Sequence, residues 1–208
     1  MVDLRKNNRA RILEVLFRHG PISRAEISEI TGLTPPTITA LAKELFQEGL
    51  LEEAGIRDDR TTVGRKRISL RLAADSRLAV GVEIGVKNLL LGLVNLEGRI
   101  VEQKSVALED AEPDPAIEKT IRAIGDLTGG LPPGKVIGVG VAATGLVDSV
   151  SGSVRRSPNL GWKNVPLRDR LEQALSQPVV IDNNVRLMAL GENMFFHNRG
   201  DVSRLALV

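Results

Sequence analysis

From Gly20 to Leu50 the chain carries the stop, turn and start signals of two consecutive short helices, a pattern that leaves few folds open. Gly20-Pro21 ends a preceding helix. Ser23 and Glu26 stand at the spacing of a capping box, in which each side chain satisfies a backbone N–H near the other. Ile27 and Ile30 give the helix that follows its buried side. Thr31-Gly32-Leu33 is the turn, with Gly32 suited to the left-handed conformation of a helix stop. Thr34 caps the next helix, and Pro35 sits in its first turn, where a missing N–H costs nothing. On that helix Ile38, Leu41, Ala42, Leu45 and Phe46 fall on one side, facing a core. Pro36, Ala40, Lys43 and Gln47 point away from it, flanked by Thr37 and Thr39.

A helix presented in this way is built to enter the major groove of DNA. Small residues and hydroxyls near its start suit close approach to base edges and phosphates. Thr34, Pro36, Thr37, Thr39 and Lys43 are therefore candidate DNA contacts. Upstream, Ile12, Leu13, Leu16 and Phe17 recur at helical spacing and predict an amphipathic helix over residues 4–18. Downstream, a strand pair over 50–54 and 68–72 encloses a basic loop with Arg57, Arg60, Arg65, Lys66 and Arg67, which reads as a wing. Residues 1–72 are predicted to hold 13 basic against 10 acidic side chains, and 57–71 six against two. The net charge of +2 exerts no global pull on nucleic acid, so the attraction is local. The alternative is a three-helix packing module without a DNA role; helix and wing together weigh against it.

The chain has no cysteine, which removes disulfides and thiolate chemistry from this stretch. Its first residues lack the apolar core of a signal peptide, and no run reaches the ~18 apolar residues of a membrane span. The expectation is a cytoplasmic protein with no membrane partner.

From Leu78 the pattern turns to strands. Runs over 78–85, 88–95 and 99–108 predict an antiparallel meander. A helix over 114–128, a buried strand over 135–142 and a Gly/Ser-rich loop over 144–154 follow. A helix over 166–175, a strand over 179–181, a helix over 185–196 and a strand from Ser203 complete the chain. A meander followed by alternating strands and helices implies a mixed α/β domain. The predicted division is 1–74 for the winged helix and 75–208 for the α/β domain.

Several motifs occur in order: Gly138-Val-Gly-Val-Ala-Ala-Thr-Gly-Leu-Val-Asp148, Ser157-Pro-Asn-Leu-Gly-Trp162, Asn164-Val-Pro-Leu167, Pro178-Val-Val-Ile-Asp-Asn-Asn184 and Ala189-Leu-Gly-Glu192. In this series the chain resembles the ROK family, which groups bacterial sugar repressors carrying an N-terminal winged helix with sugar kinases on an actin-like fold. The resemblance implies a winged helix followed by the first lobe of an actin-like, ribonuclease H-like α/β domain. It also implies sugar contacts at the positions of Asn159 and Asn183, with Gly145 beside the sugar and Asn184 as a further candidate. Read from the residues alone, Asn159 is equally a turn asparagine and Asn183 a helix cap.

Two departures bear on activity. Family kinases open this domain with an Asp-Leu-Gly-Gly-Thr-Lys turn that handles ATP phosphate, and the matching stretch here is Glu83-Ile84-Gly85-Val86-Lys87-Asn88. One glycine and the threonine are gone, which compromises close backbone approach to phosphate; Gly85 is also readable as a hairpin glycine. The kinase Glu-Asn-Asp-Ala-Asn run supplies the base, and its aspartate aligns with Asn184. A carboxamide is no base near neutral pH, so help worth ~10²–10⁴ in rate is missing.

The expectation is a sugar-responsive DNA-binding regulator, a repressor with its kinase activity lost and no catalytic residue. Its partners would be double-stranded operator DNA, a sugar or sugar-phosphate effector, and a second copy in a homodimer or higher oligomer. An ATP-dependent sugar kinase is the alternative, and a remnant that only dimerises with full-length relatives is a third reading. Family members with a winged helix continue into a second lobe, so the chain is expected to be cut short at Val208. No cofactor is expected here, since any zinc site would lie in that further part; His19 and His197 are too far apart in sequence to suggest one.

Overall fold

A computed structural model describes residues 3–57 and 67–195, which fall into two compact units, Met1–Ser76 and Arg77–Val208. In the first, Ile12, Leu16, Ile27, Ile38, Leu45 and Leu70 are sealed from solvent. They bring together three helices, α1 (Leu4–His19), α2 (Arg24–Thr31) and α3 (Pro35–Gln47), and a small sheet. That sheet has the order β1-β3-β2, from β1 (Ile22–Ser23), β2 (Leu51–Arg57) and β3 (Arg67–Leu72), all antiparallel.

Local chemistry sets the helix ends. Asp3 accepts hydrogen bonds from the Arg5 and Lys6 N–H groups to open α1. Both halves of the Ser23/Glu26 capping box are formed, and Gly32 closes α2 at φ +68°. Two expectations are corrected. Ile30 is 48% exposed, and the second buried residue of α2 is Thr31. Thr31 lies about 40° around the helix from Ile27, against about 60° on the other side for Ile30. It enters the core satisfied, because its hydroxyl donates to the Ile27 carbonyl at 2.6 Å. Thr34 has the extended backbone of a cap residue but its side chain makes no cap bond; it meets the Thr37 hydroxyl at 2.9 Å instead.

The second unit is organised by a five-stranded sheet of order β11-β7-β4-β5-β6. The meander β4 (Leu78–Ile84), β5 (Asn88–Asn95) and β6 (Ile100–Ala107) is antiparallel, and β7 (Val136–Ala143) and β11 (Val179–Asn183) join parallel to β4. Parallel neighbours need long crossovers, supplied by α4 (Pro113–Thr128) and α5 (Leu167–Leu175). Val80, Val82, Leu89, Leu91, Val139, Val141 and Ile181 form the core with Ile117, Ile124 and Leu171 of those helices. The final described element is α6 (Asn184–Phe195).

Residues 144–154, expected as a loop, contain β8 (Leu146–Asp148) and the start of β9 (Ser153–Ser157), which with β10 (Trp162–Val165) form a second sheet of order β10-β9-β8. The Gly/Ser-rich centre is its tight turn. Trp162 fastens this sheet to the core: it is 1% exposed, and its indole N–H donates to the Ala111 carbonyl at 2.6 Å, ahead of α4. Trp162→Ala is expected to destabilise the second unit by about 3–5 kcal/mol. Trp162→Phe, which loses the hydrogen bond but keeps much of the ring, is expected to cost about 1–3 kcal/mol. Urea unfolding followed by far-ultraviolet circular dichroism measures both.

Candidate functional site

In the first unit, α3 buries Ile38, Leu41, Ala42 and Leu45 and leaves Thr34, Pro36, Thr39, Ala40, Lys43 and Gln47 exposed, with Thr37 half-buried. The predicted outward face is therefore continuous along the helix. Prolines at the first two helical positions remove two N–H groups that would otherwise need partners. The Thr39 hydroxyl donates to the Pro35 carbonyl at 2.9 Å, so its lone pairs remain for an incoming donor. The Lys43 side chain makes no hydrogen bond or ion pair among the described residues.

The carboxylates of α3 are engaged by α1. Arg5 pairs with Glu44, and Arg9 grips Glu48 through two bonds of 2.5 and 2.6 Å. Two arginines one turn apart thus meet two glutamates one turn apart. Exposed pairs add little stability each; their effect is to fix α3 against α1 and offset negative charge that would repel phosphate. On β2 and β3, the register runs from Leu51↔Leu72 to Arg57↔Arg67, with an irregularity between Glu53 and Ile56 where Gly55 takes φ +89°. Arg57 and Arg67 thus form the last register pair before the basic loop, while Arg60, Arg65 and Lys66 lie outside the described residues.

In the second unit, Gly145 and Asn183 come together. The Asn183 amide donates to the Gly145 carbonyl at 2.8 Å, and its oxygen accepts from the Arg186 N–H at 3.1 Å, capping α6. Gly145 has φ +97°, and a Cβ there would fall 2.3 Å from the Arg156 carbonyl oxygen and 2.8 Å from Ser157 Cα. Only glycine lets the end of β7 approach β9 this closely. Thr144 and Ser157 hydroxyls meet at 3.0 Å across the same junction, a pairing that nothing in the local pattern reveals. Asn184 is half-buried at the start of α6. Asn159 is exposed in the turn Pro158–Gly161, on the hairpin whose Ser157 packs against Gly145; it makes no hydrogen bond among the described residues.

The stretch aligned with the kinase phosphate turn is a closed hairpin. The Gly85 N–H donates to the Asn88 carbonyl at 3.0 Å, and a Cβ at Gly85 would lie 2.9 Å from that oxygen. Asp182, the carboxylate nearest to Asn184 in sequence, accepts from the Asn183 N–H at 2.7 Å and pairs with Arg186 at 3.3 Å. Asp148 organises the β8–β9 turn. It accepts from the N–H groups of Ser151 at 3.0 Å and Val150 at 3.1 Å, and from Arg155 at 2.9 Å. The Ser151 N–H first, then Arg155, holds its carboxyl well below the ordinary value of 3.8. Among the described residues no three acidic or imidazole side chains are grouped to hold a metal ion, and no helix is long and apolar enough to cross a membrane.

Comparison with known proteins agrees with this architecture. A family model described as the ROK family matches residues 79–208, and one described as winged helix-turn-helix DNA-binding matches residues 5–52. The xylose repressor of Caldicellulosiruptor bescii is 30% identical over 198 residues, 92% of this chain and 48% of that protein. A solved ROK family transcriptional regulator, a homolog of the E. coli MLC protein, superposes with a TM-score of 0.77 at 24% identity, over 92% of this chain and 49% of its own. A ROK family glucokinase from Streptomyces griseus, solved with glucose and AMPPNP, is 32% identical with a TM-score of 0.54, over 59% of this chain and 38% of its own. The chain spans about half the length of the curated relatives it matches. Its architecture is a winged helix followed by the first lobe of an actin-like, ribonuclease H-like domain.

Gly145→Ala is expected to lower the stability of the second unit by at least about 1–3 kcal/mol, read from its melting curve, since the added methyl meets backbone at an unfavourable φ. The depressed Asp148 carboxyl contributes stability that is fully present above about pH 4 and is lost as pH falls toward its folded value. Asp148→Asn is therefore expected to show a shallower loss of stability below about pH 4 than the parent chain.

Proposed function

The chain belongs to the ROK family, and on that premise we propose that it is a sugar-responsive DNA-binding transcription regulator, a repressor of carbohydrate-metabolism genes working in the cytoplasm. The observation that carries this reading is α3, whose exposed Pro36–Lys43 face stands on a three-helix core with its acidic residues matched by α1. In the proposed complex, Thr34, Pro36, Thr37, Thr39 and Lys43 meet the major groove, and Arg57, Arg60, Arg65, Lys66 and Arg67 of the wing meet phosphates. A homodimer would place two such helices one turn apart on a palindromic operator.

The effector reading assigns a sugar or sugar phosphate to Gly145, Asn159, Asn183 and Asn184. The Asn183–Gly145 bond supports it by tying two of the four into one constellation. An effector would act by binding one arrangement of the regulator better than another. The relatives' name, xylose repressor, makes a pentose the first sugar to try. Kinase chemistry is disfavoured: the Gly85 N–H is already used within its hairpin, and Asn184 would stand where a base is required. No cofactor is assigned to these residues.

Selection of genomic DNA fragments on the immobilised chain at stepped salt, followed by sequencing, tests the proposal. A recovered palindrome is expected, with weak retention that responds little to added sugar. Replacing Arg65, Lys66 and Arg67 by alanine is expected to reduce the slope of log affinity against log salt by about 2–3. Retention without sequence preference, or an unchanged slope in that variant, would count against the winged-helix assignment. Hexose-dependent ATP turnover would favour the kinase instead.

A further inference from the structure

The sheet of β8, β9 and β10 carries a charge arrangement that the function above does not use. Arg156 on β9 and Lys163 on β10 are direct register partners, and both are exposed. Like charges opposed across an antiparallel pair destabilise it. Neither side chain makes a hydrogen bond or ion pair among the described residues. Arg155 beside them does: it pairs with Asp148 at 2.9 Å.

The two cations also point the same way. Ser157 and Trp162, the adjoining register pair, are each 1% exposed and occupy the buried face, so the next pair turns outward. Directly opposed residues hold their Cβ atoms about 5 Å apart, a span that lets a guanidinium and an ammonium share one tetrahedral anion. Beside them lies a hollow of about 500 Å³, lined by Arg155, Arg156, Lys163 and Asn164 and by the turn that bears Asn159. On the other side of Arg156 its β8 partner, Leu146, is 67% exposed. Leu146 follows Gly145, which itself packs on the Arg156 carbonyl. A cationic pair, an apolar neighbour and the candidate sugar residues therefore border one another.

We propose that Arg156 and Lys163 form a binding site for a phosphate monoester, and that the effector is for this reason a phosphorylated sugar rather than a free one. Arginine matches two phosphate oxygens at once and lysine adds a point charge; a neutral sugar gives this pair nothing to neutralise. The anion site stands on the hairpin alone, whereas its link to a sugar rests on the effector reading given above.

Calorimetric titration of the 208-residue chain with xylose, xylose 5-phosphate, glucose, glucose 6-phosphate and inorganic phosphate separates the two. A phosphorylated sugar is expected to bind at least about tenfold more tightly than its free form. Arg156→Ala with Lys163→Ala is expected to abolish that difference, while Lys104→Ala, removing an exposed cation elsewhere, leaves it intact. Arg156→Gln with Lys163→Gln keeps more of the side-chain stems and serves, with a thermal melt, if the alanine pair fails to fold. Inorganic phosphate bound only when both cations are present, with no sugar form bound, would uphold the anion site and overturn its sugar assignment. Free and phosphorylated sugars bound equally, or a preference surviving both double variants, would overturn the anion site and leave the effector reading standing. Failure of every probe would also overturn it, as would a double variant that weakens only DNA retention.

Discussion

The small sheet of the second unit is fastened to the main core by Trp162, whose buried indole donates its N–H to the Ala111 carbonyl ahead of α4. The five-stranded sheet and its two crossover helices share one continuous core, which Val154, Leu160, Trp162 and Val165 also enter. The small sheet of β8 to β10 also carries exposed Arg155, Arg156 and Lys163 along its strands. Burial of one large ring with its single polar atom satisfied gives it an anchor. Because Gly145, Ser157 and Asn159 all lie on or beside that small sheet, the geometry of the candidate effector site depends on this anchor.

In the first unit the corresponding constraint is electrostatic and repeated. Arg5 and Arg9 of α1 meet Glu44 and Glu48 of α3, while Arg11 donates to the Thr31 carbonyl at the end of α2. A single helix therefore grips both partners of the helix-turn-helix. The apolar core supplies the stability, and the arginine row sets how α3 is turned. Lys43 lies outside this row, and its side chain makes no ion pair among the described residues.

The legible features were those that a few neighbouring residues decide. The Ser23/Glu26 box, the left-handed Gly32 and the apolar face of α3 each depend on spacing within one turn or two, and each was found as read. Short strands that exist only through distant pairing were not legible. Two residues, Ile22 and Ser23, form a strand only because Leu70 and Ser69 lie opposite them. The strands β8 to β10 are short and rich in polar residues, so no alternation announces them. Ile30 shows the limit of periodicity: an isoleucine and a threonine flanked the same buried position, and the threonine went inside because its hydroxyl had an acceptor one turn back. At the site, the family resemblance placed Gly145 and Asn183 beside one sugar, and only the fold reveals that they are bonded.

Asn183 also has a remainder. A carboxamide offers two N–H donors and two acceptor lone pairs; Gly145 and Arg186 use one of each. One donor and one acceptor are left over, fixed in direction by the two bonds already made. A hydroxyl is the smallest group that answers both at once, giving its hydrogen to one and its oxygen to the other. A carboxylate could answer only the donor and an ammonium only the acceptor. The scaffold's own bonding thus leaves a valence at Asn183 that distinguishes an alcohol from either ion, before any other side chain takes part.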